Sequence, residues 1–442
     1  MKKLTAREVL ALVRKDRIGF AQLWFTDVLG FLKGVTIPIA QLPRALEGGM
    51  AFDGSSIEGF ARIEESDMVA KPDPATFAVL PWEVQGARAC RLFCDVQSPS
   101  GAPVAVDPRL VLRRVLDRAK KLGFTCYCGC EMESFYFKSD KAPEFLDLNG
   151  YFDLTPTAIA EQVRHDSIDA LEKLGVQVEY SHHEVSQSQH EVDLRYTDAL
   201  TMADNVVTYR FVARQVAQKN SVHISFMPKP VFGVNGSGMH VHMSLFKNGR
   251  NLFFDARSPM NISDTARHYV AGLLRHASEL TAVTNQWVNS YKRLVPGYEA
   301  PVYISWAQMN RSALVRVPAF DKKRPNSARV EYRSPDPACN PYLAFAVLIA
   351  AGLEGVTKKL KLGPPTSDNI YRMTSRERKD AGIGSLPSDL HGAVLEAEAS
   401  PFVRAALGDE MFESFIRNKK LEWDEYKMQV SEYEIRRYLP LL

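Results

Sequence analysis

The six cysteines of this 442-residue chain include no Cys-x-x-Cys pair, and no histidine spacing typical of a zinc site accompanies them. That excludes the commonest thiolate-held zinc. Cys126, Cys128 and Cys130 alternate along one segment, as small buried thiols in a reducing compartment would, while Cys90, Cys94 and Cys339 stand apart. Blocks of Lys or Arg are also absent, and a net charge of +3 is too mild for a nucleic-acid partner. The opening residues, Met1 to Arg7, lack the apolar run of a signal peptide. The most apolar helix candidate, 341–353, is shorter than the roughly 20 residues a bilayer requires. The expectation is a soluble cytoplasmic protein without membrane contact. A glycine-rich turn at 232–240 is followed by neither Gly-Lys-Ser/Thr nor a helix, so it is neither a P-loop nor a dinucleotide fingerprint. It suits close approach of backbone to a ligand.

What is present begins with enough apolar residues, 45%, to bury a large core and to divide into two domains. The Pro/Gly/Ser stretch at 98–103 is the expected boundary, giving units 1–103 and 104–442. The first unit reads as β-rich. Segments 18–27 and 31–38 predict a hairpin and 90–96 a strand, with a turn-forming loop at 52–60 that does not belong to a core. The second unit alternates. Asp107-Pro108 opens a helix that Gly123 ends, followed by a strand over 124–137 and a helix over 157–174. Strands over 176–185 and 189–196, a helix over 201–218 and strands over 222–227 and 238–245 come next. One helix over 264–283, a strand over 329–334 and an apolar helix from Pro341, capped by Asn340, complete the pattern. This is an α+β chain with helices behind a largely antiparallel sheet.

Three strand segments carry polar groups where a buried sheet places Val or Ile: Glu131-Met132-Glu133, His240-Val241-His242 and Arg329-Val330-Glu331-Tyr332-Arg333. Residues i and i+2 of a strand share a face, so each segment aims its charged or imidazole groups at one surface. Taken singly, each glutamate reads as a solvated edge residue. Glu131, Glu133, Glu184, Glu191 and Glu331 together with His240 repel one another unless cations sit among them. Carboxylate oxygens with one imidazole suit hard octahedral ions such as Mg²⁺ or Mn²⁺, and five carboxylates exceed what one ion takes. Arg293, Arg311, Arg316, Arg329 and Arg333 crowd a short interval. Surface ion pairs are the bland reading; bidentate binding of an anionic substrate is the functional one. The sequence points to a multi-cation, phosphate-handling site.

These residues sit in motifs that carry a resemblance. They are Phe52-Asp53-Gly54-Ser55-Ser56, Glu131-x-Glu133, His182-His183-Glu184-Val185 and His190-Glu191-Val192, then Phe226 to Pro230 and the Asn235 to His242 turn. Asn289 to Pro301, Asn310-Arg311-Ser312 and Asn340-Pro341-Tyr342-Leu343 follow in order. Over almost its whole length the chain resembles type I glutamine synthetase, and Glu58 to Ile63 resembles the alpha subtype. The resemblance implies a small N-terminal β-grasp-like domain and a larger catalytic domain with a curved, largely antiparallel sheet backed by helices. It implies ATP-dependent condensation of L-glutamate and ammonia through γ-glutamyl phosphate, with at least two Mg²⁺ or Mn²⁺ ions per active site. Glu133, Glu184 and Glu191 would hold one ion, and Glu131, His240 and Glu331 the other. Glu179, His242, Ser244, Arg311 and Arg316 match ATP-contacting positions. Asn235, Gly236, Arg293, Glu299, Arg311 and Arg333 match substrate positions. Asp53, Glu299 and Arg311 match catalytic positions, with Asp53 reaching a neighbouring subunit in a dodecamer of two hexameric rings. Arg62 matches a position linked to feedback inhibition by glutamine, and Tyr371 lies where another subtype is adenylylated; here it is expected unmodified. Some relatives also bind nitrogen-regulator proteins.

The chain departs from the family pattern at Gly129-Cys130, at Gln187-Ser188 and at Gln286-Trp287, where Gly-Pro, Pro-Gly and Pro-Thr are usual. The competing readings are a γ-glutamyl-amine ligase on the same fold and a catalytically silent relative. The first commonly loses the aspartate kept here as Asp53; the second erodes metal positions that are all intact.

Overall fold

In the computed structural model, which describes every residue except 1, 2, 56, 58, 60–66, 156, 157, 309, 311, 321, 322 and 367–369, helix α1 (Ala6–Lys15) comes first. Its start is chemically marked: Thr5 Oγ1 accepts from Glu8 N, and Glu8 accepts from Thr5 N. The hairpin forms as expected, β1 (Phe20–Thr26) against β2 (Leu32–Pro38). Helix α2 (Leu42–Gly48) then leads into β3 (Met50–Asp53), β4 (Asp67–Pro72), β5 (Ala78–Val84) and β6 (Ala87–Gln97). The sheet order is β2-β1-β6-β4-β3 with β5 beside β6, and β1 and β6 run parallel at its centre. The expected loop at 52–60 is corrected at its start. Phe52 and Asp53 complete a strand, and the Phe52 ring stacks on Phe25 at 4.8 Å.

Helix α3 (Pro108–Lys121) begins where Asp107 accepts from Arg109 N, with proline at its first position. The larger sheet is built from β7 (Thr125–Phe137), β8 (Val178–His183), β9 (Gln189–Asp198), β10 (His223–Ser225), β11 (Met239–Lys247) and β12 (Arg250–Asn251). Between these strands lie α4 (Ile159–Lys173) and α5 (Ala199–Lys219). The expected single helix over 264–283 is two, α6 (Asp264–Arg275) and α7 (Ala277–Thr284). The break falls at His276, whose ring nitrogens are held by Glu279 and by the distant Glu354, both at 3.2 Å. After α8 (Ser290–Arg293) come the short strands β13 (Tyr303–Ile304), β14 (Trp306–Ala307), β15 (Val315–Arg316) and β16 (Val330–Tyr332). The last is shorter than the expected 329–334, so Arg329 and Arg333 flank it.

The nine strands run β14-β15-β16-β11-β7-β9-β8, with β10 on β7 and β12 on β11, and all pairs are antiparallel except β14–β15. Helix α9 (Pro341–Thr357) is buried all round, as its near-continuous apolar sequence requires, and packs on α3, α5 and α6. Short β17 (Gly384–Ser385) pairs with β13, and α10 (Ser375–Asp380), α11 (Leu390–Glu398), α12 (Pro401–Leu407), α13 (Asp409–Lys427) and α14 (Glu432–Tyr438) end the chain. All six thiols are buried, and burial pushes Cys90 and Cys126 up to about 12.

Buried side chains tie the smaller sheet to the larger part. Arg109, almost wholly buried, donates to Asp204 through Nε and Nη2, both at 3.0 Å, and to Asp95 and Asp73 at 2.5 and 3.0 Å. Asn340 starts α9 by accepting from Tyr342 N at 3.1 Å, while its Nδ2 donates to Val28 O at 2.9 Å. Gly30 passes so close that a Cβ there would meet Asn340 Cα at 2.8 Å, and its φ of +84° also requires glycine. Gln286 supports the join, donating to Leu29 O at 2.8 Å.

Candidate active site

The cross-strand register assembles the polar groups into rows. His240 lies opposite Glu131, and Glu131 opposite Asp193. Glu133 lies opposite Glu191, and Glu191 opposite His182. Toward the other edge, Glu331 lies between His242 and Arg316. The period of two does the sorting on β7: Cys128, Cys130 and Met132 join the hydrophobic core, while Glu131 and Glu133 line a cavity of about 850 Å³.

One half of the site is electrostatically satisfied. Glu131 accepts from His240 Nδ1 and His242 Nε2, both at 2.7 Å. Burial works against its charged form, but the two imidazoles outweigh it and hold the carboxyl well below its ordinary value. Fully buried Glu331 accepts from Arg333 at 2.7 Å and from Arg316. There too burial is outweighed, chiefly by Arg333, and the carboxyl is lowered.

The other half is not satisfied. Burial and the neighbouring Glu184 push Glu133 up to about 8, although Gly238 N donates to it at 2.8 Å. Burial raises Glu191 well above its ordinary value, with Glu133, Glu131 and Glu184 adding to the effect, and Glu184 is raised as well. His182, Glu184 and Glu191 each bring a ligand atom within 4.8 Å of the others, as do Glu131, His242 and Glu331. Crowded carboxyls that raise one another are the environment a dication relieves. The donor sets, each two carboxylates with one imidazole, fit Mg²⁺ or Mn²⁺.

Sequence-predicted residues Glu131, Glu133, Glu184, Glu191, His240, Asn235, Gly236, Arg293, Glu299, Arg316 and Arg333 all line the larger cavity. Gly236 has no room for a side chain, since a Cβ there would lie 2.4 Å from Pro228 O. Arg293, buried, donates to the carbonyls of Ser334 and Arg333 at 2.5 and 3.2 Å. Arg333 presents a buried Nε without a hydrogen-bond partner among the described residues. Glu299 stands in the left-handed region at φ +58°, and Asn235 Nδ2 donates to it at 3.2 Å. The adjoining Ala300 O accepts from the Tyr371 hydroxyl at 2.7 Å.

Glu179, His242 and Ser244 line a second cavity of about 240 Å³ with Tyr127, Tyr196 and Arg329. The two cavities share Glu131 and Tyr180 in their walls. Asp53 is exposed at the end of β3, accepts from Ser55 N at 2.8 Å, and lines neither cavity. Arg311, Arg62 and part of the subtype segment lie outside the described residues.

Sequence reasoning missed His182 as a site residue, although the i, i+2 rule pairs it with Glu184 as it pairs Glu131 with Glu133. It also missed Gln189, whose Nε2 donates to Glu133 and Gly236 O, both at 3.1 Å. Tyr151 and Phe152 in the cavity wall carried no sequence signal, and Tyr298 stood within the 289–301 motif without a role of its own.

A β-grasp sheet beside a curled sheet with acidic and imidazole rows on one face defines a class of metal-dependent ligases. Two family profiles match, "Glutamine synthetase, beta-Grasp domain" over residues 17–99 and "Glutamine synthetase, catalytic domain" over 105–438. The chain is 51% identical to a glutamine synthetase of Methanosarcina mazei, with 100% of this chain and 99% of that one covered. To one of Mycobacterium tuberculosis it is 52% identical, with 98% of each covered. Among solved structures, "GmaS/ADP complex" superposes with a TM-score of 0.88 at 31% identity, covering 98% of this chain and 99% of that one. The Plasmodium falciparum glutamine synthetase superposes at 0.87 with 25% identity, covering 99% and 100%. The chain belongs to the glutamine synthetase family and is a glutamate–ammonia ligase.

Proposed function

We propose that the two joined cavities carry out ATP-dependent amide synthesis with the residues in the following roles. A carboxylate is a poor electrophile, so the γ-carboxylate of glutamate is first phosphorylated by ATP, and ammonia then displaces phosphate to give L-glutamine. Glu133, Glu184 and Glu191 would hold one Mg²⁺ or Mn²⁺ and Glu131, His240 and Glu331 the other, supplying charge neutralisation at the transferred phosphoryl group. Glu179, His242 and Ser244 hold the nucleoside end in the smaller cavity. Arg316, Arg333 and Arg311 meet the phosphoryl group as it passes to glutamate. Asn235, Gly236 and Arg293 orient glutamate, and the Glu299 flap covers the acyl phosphate against water. The observation that carries this reading is the gathering of Glu133, Glu184 and Glu191 in one cavity wall, where burial and neighbouring carboxylates raise each of them and a dication would relieve the crowding.

Asp53, with Glu299, takes the proton of ammonium. Its exposed position away from both cavities of its own chain favours service in a neighbouring subunit, within a dodecamer of two hexameric rings. Exposed Ile435, Leu439, Leu441 and Leu442 near the C-terminus are apolar surface that an assembly would cover. Six buried free thiols and no described helix long and apolar enough to cross a membrane favour the cytoplasm. Arg62 would link the site to glutamine feedback, as in the alpha subtype, and Tyr371 remains unmodified. Binding of nitrogen regulators would be a separate property.

Phosphate release from ATP and glutamate, with ammonia compared against a panel of amines, tests the reading. Ammonia is expected to give the fastest release. A polyamine or ethanolamine preferred over ammonia would replace it with a γ-glutamyl-amine ligase.

A further inference from the structure

Asp147 lines neither cavity, yet it touches both histidines that precede a candidate metal carboxylate. His183 Nε2 donates to its Oδ1 at 2.8 Å and His190 Nε2 to its Oδ2 at 3.3 Å; the next residues in the chain are Glu184 and Glu191. Ser188, wholly buried in the turn between β8 and β9, fixes Asp147 in turn. Its Oγ accepts from Leu146 N and Asp147 N at 2.6 and 2.8 Å and lies 3.1 Å from Asp147 O, and its own N–H donates to Asp147 Oδ1 at 3.1 Å. Ser188 holds φ at +58°, a conformation that favours glycine, but glycine has no hydroxyl to make these contacts.

The Asp147, His183 and His190 atoms lie close enough to suggest an ion site. The hydrogen bonds argue otherwise. Arg164 Nη1 is 2.9 Å from His190 Nδ1, and an arginine can only donate, so the His190 proton sits on Nε2. His183 Nδ1 donates to Glu184 O at 2.7 Å and its Nε2 donates to Asp147. Every ring nitrogen of the two imidazoles is thus already engaged, by Asp147, Arg164 or the Glu184 carbonyl. The cluster is a clamp.

We propose that Asp147 is a positioning residue: by holding the His183 and His190 imidazoles it sets the spacing of Glu184 and Glu191 for their divalent ion, and Ser188 locks it in place. The inference rests on the reading that Glu184 and Glu191 hold that ion. It also explains the neighbouring wall, because the segment beyond Asp147 returns to the site. Phe152 N donates to His183 O at 3.1 Å, and the Phe152 ring lies 4.5 Å from that of His182.

The test is Mn²⁺ binding to the assembled, nucleotide-free protein by electron paramagnetic resonance, with melting curves alongside. Two ions per chain are expected for the natural sequence. Asp147→Ala is expected to weaken one ion by about 10- to 100-fold, the range for losing a group that orients a metal ligand, and to leave the other unchanged. Asp147→Asn should lose less, and Ser188→Gly should weaken the same ion by up to about tenfold, the worth of a hydrogen bond or so. Both ions weakened equally, or neither, overturns the clamp, and so does a third ion that Asp147→Ala removes. If Asp147→Ala does not fold, Ser188→Gly decides, and unchanged binding overturns the proposal. Glu191→Gln is the control on the parent reading: retention of both ions at full affinity in that variant would sink the ion assignment itself.

Discussion

Arg333 donates to Glu331 at 2.7 Å across a single strand face, two residues apart in sequence, while Arg316 grips the other carboxylate oxygen from the next strand. Glu331 is the hub where the arginines of the proposed phosphate path meet the Glu131 and His240 row. Replacing it by alanine is expected to lower ATP-dependent phosphate release by about 100- to 1,000-fold, the scale seen when one charge-stabilising group is lost. The assembly should persist on size-exclusion chromatography. Because the change strands two guanidinium groups, Glu331→Gln is the gentler companion. Full turnover by either variant would remove the metal assignment.

Asp53→Ala is expected to spare ATP and glutamate binding and to impair the use of ammonia. Hydroxylamine, neutral at pH 7, needs no proton removed before it attacks, so its reaction should fall less. Equal losses for both nucleophiles would deprive Asp53 of the ammonium role.

Metal-free protein should become less stable between pH 7 and pH 9. Glu133 is raised from 4.5 to about 8, chiefly by burial and then by Glu184. A carboxyl raised in the folded state contributes stability that is fully present below its unfolded value and lost as pH rises through the folded one. Glu131 and Glu331 are shifted down and do not titrate in this window. A chelator-treated sample should therefore melt lower at pH 9 than at pH 7, and added Mg²⁺ should raise the melting temperature more at pH 9. A melting temperature that climbs with pH in chelator contradicts this.

Tyr371→Phe removes the hydroxyl that donates to Ala300 O beside Glu299. A hydrogen bond is worth about 1 kcal/mol, equivalent to roughly fivefold in an equilibrium. Phosphate released without ammonia should rise by about that factor relative to amide formed. If the ratio does not move, Tyr371 does not latch the flap.

Much of the site was legible because a strand has a period of two. Glu131-x-Glu133 and His240-x-His242 declare a polar face without any tertiary information. His182-x-Glu184 obeys the same rule but hides inside a His-His pair. Asp147 could not be read at all, since its importance comes from contacts made across 36 and 43 positions of chain. The helix break at His276 is of the same kind. Local apolar periodicity runs through it, and Glu354, far along the chain, helps hold the imidazole that marks the interruption. The short span of β16 likewise follows from its neighbours, which pair with it over only three residues on one side and two on the other.

The Asn340 amide, which starts α9 with one atom and holds the Val28 carbonyl with another, gives the small domain and the roof of the catalytic sheet a common datum. A tilt of the small domain is thus transmitted to the first turn of α9 and to the segment arriving from Glu331. Asn340 therefore shares with Arg109 and Gln286 the task of keeping the small domain in step with the sheet that carries the proposed phosphate site.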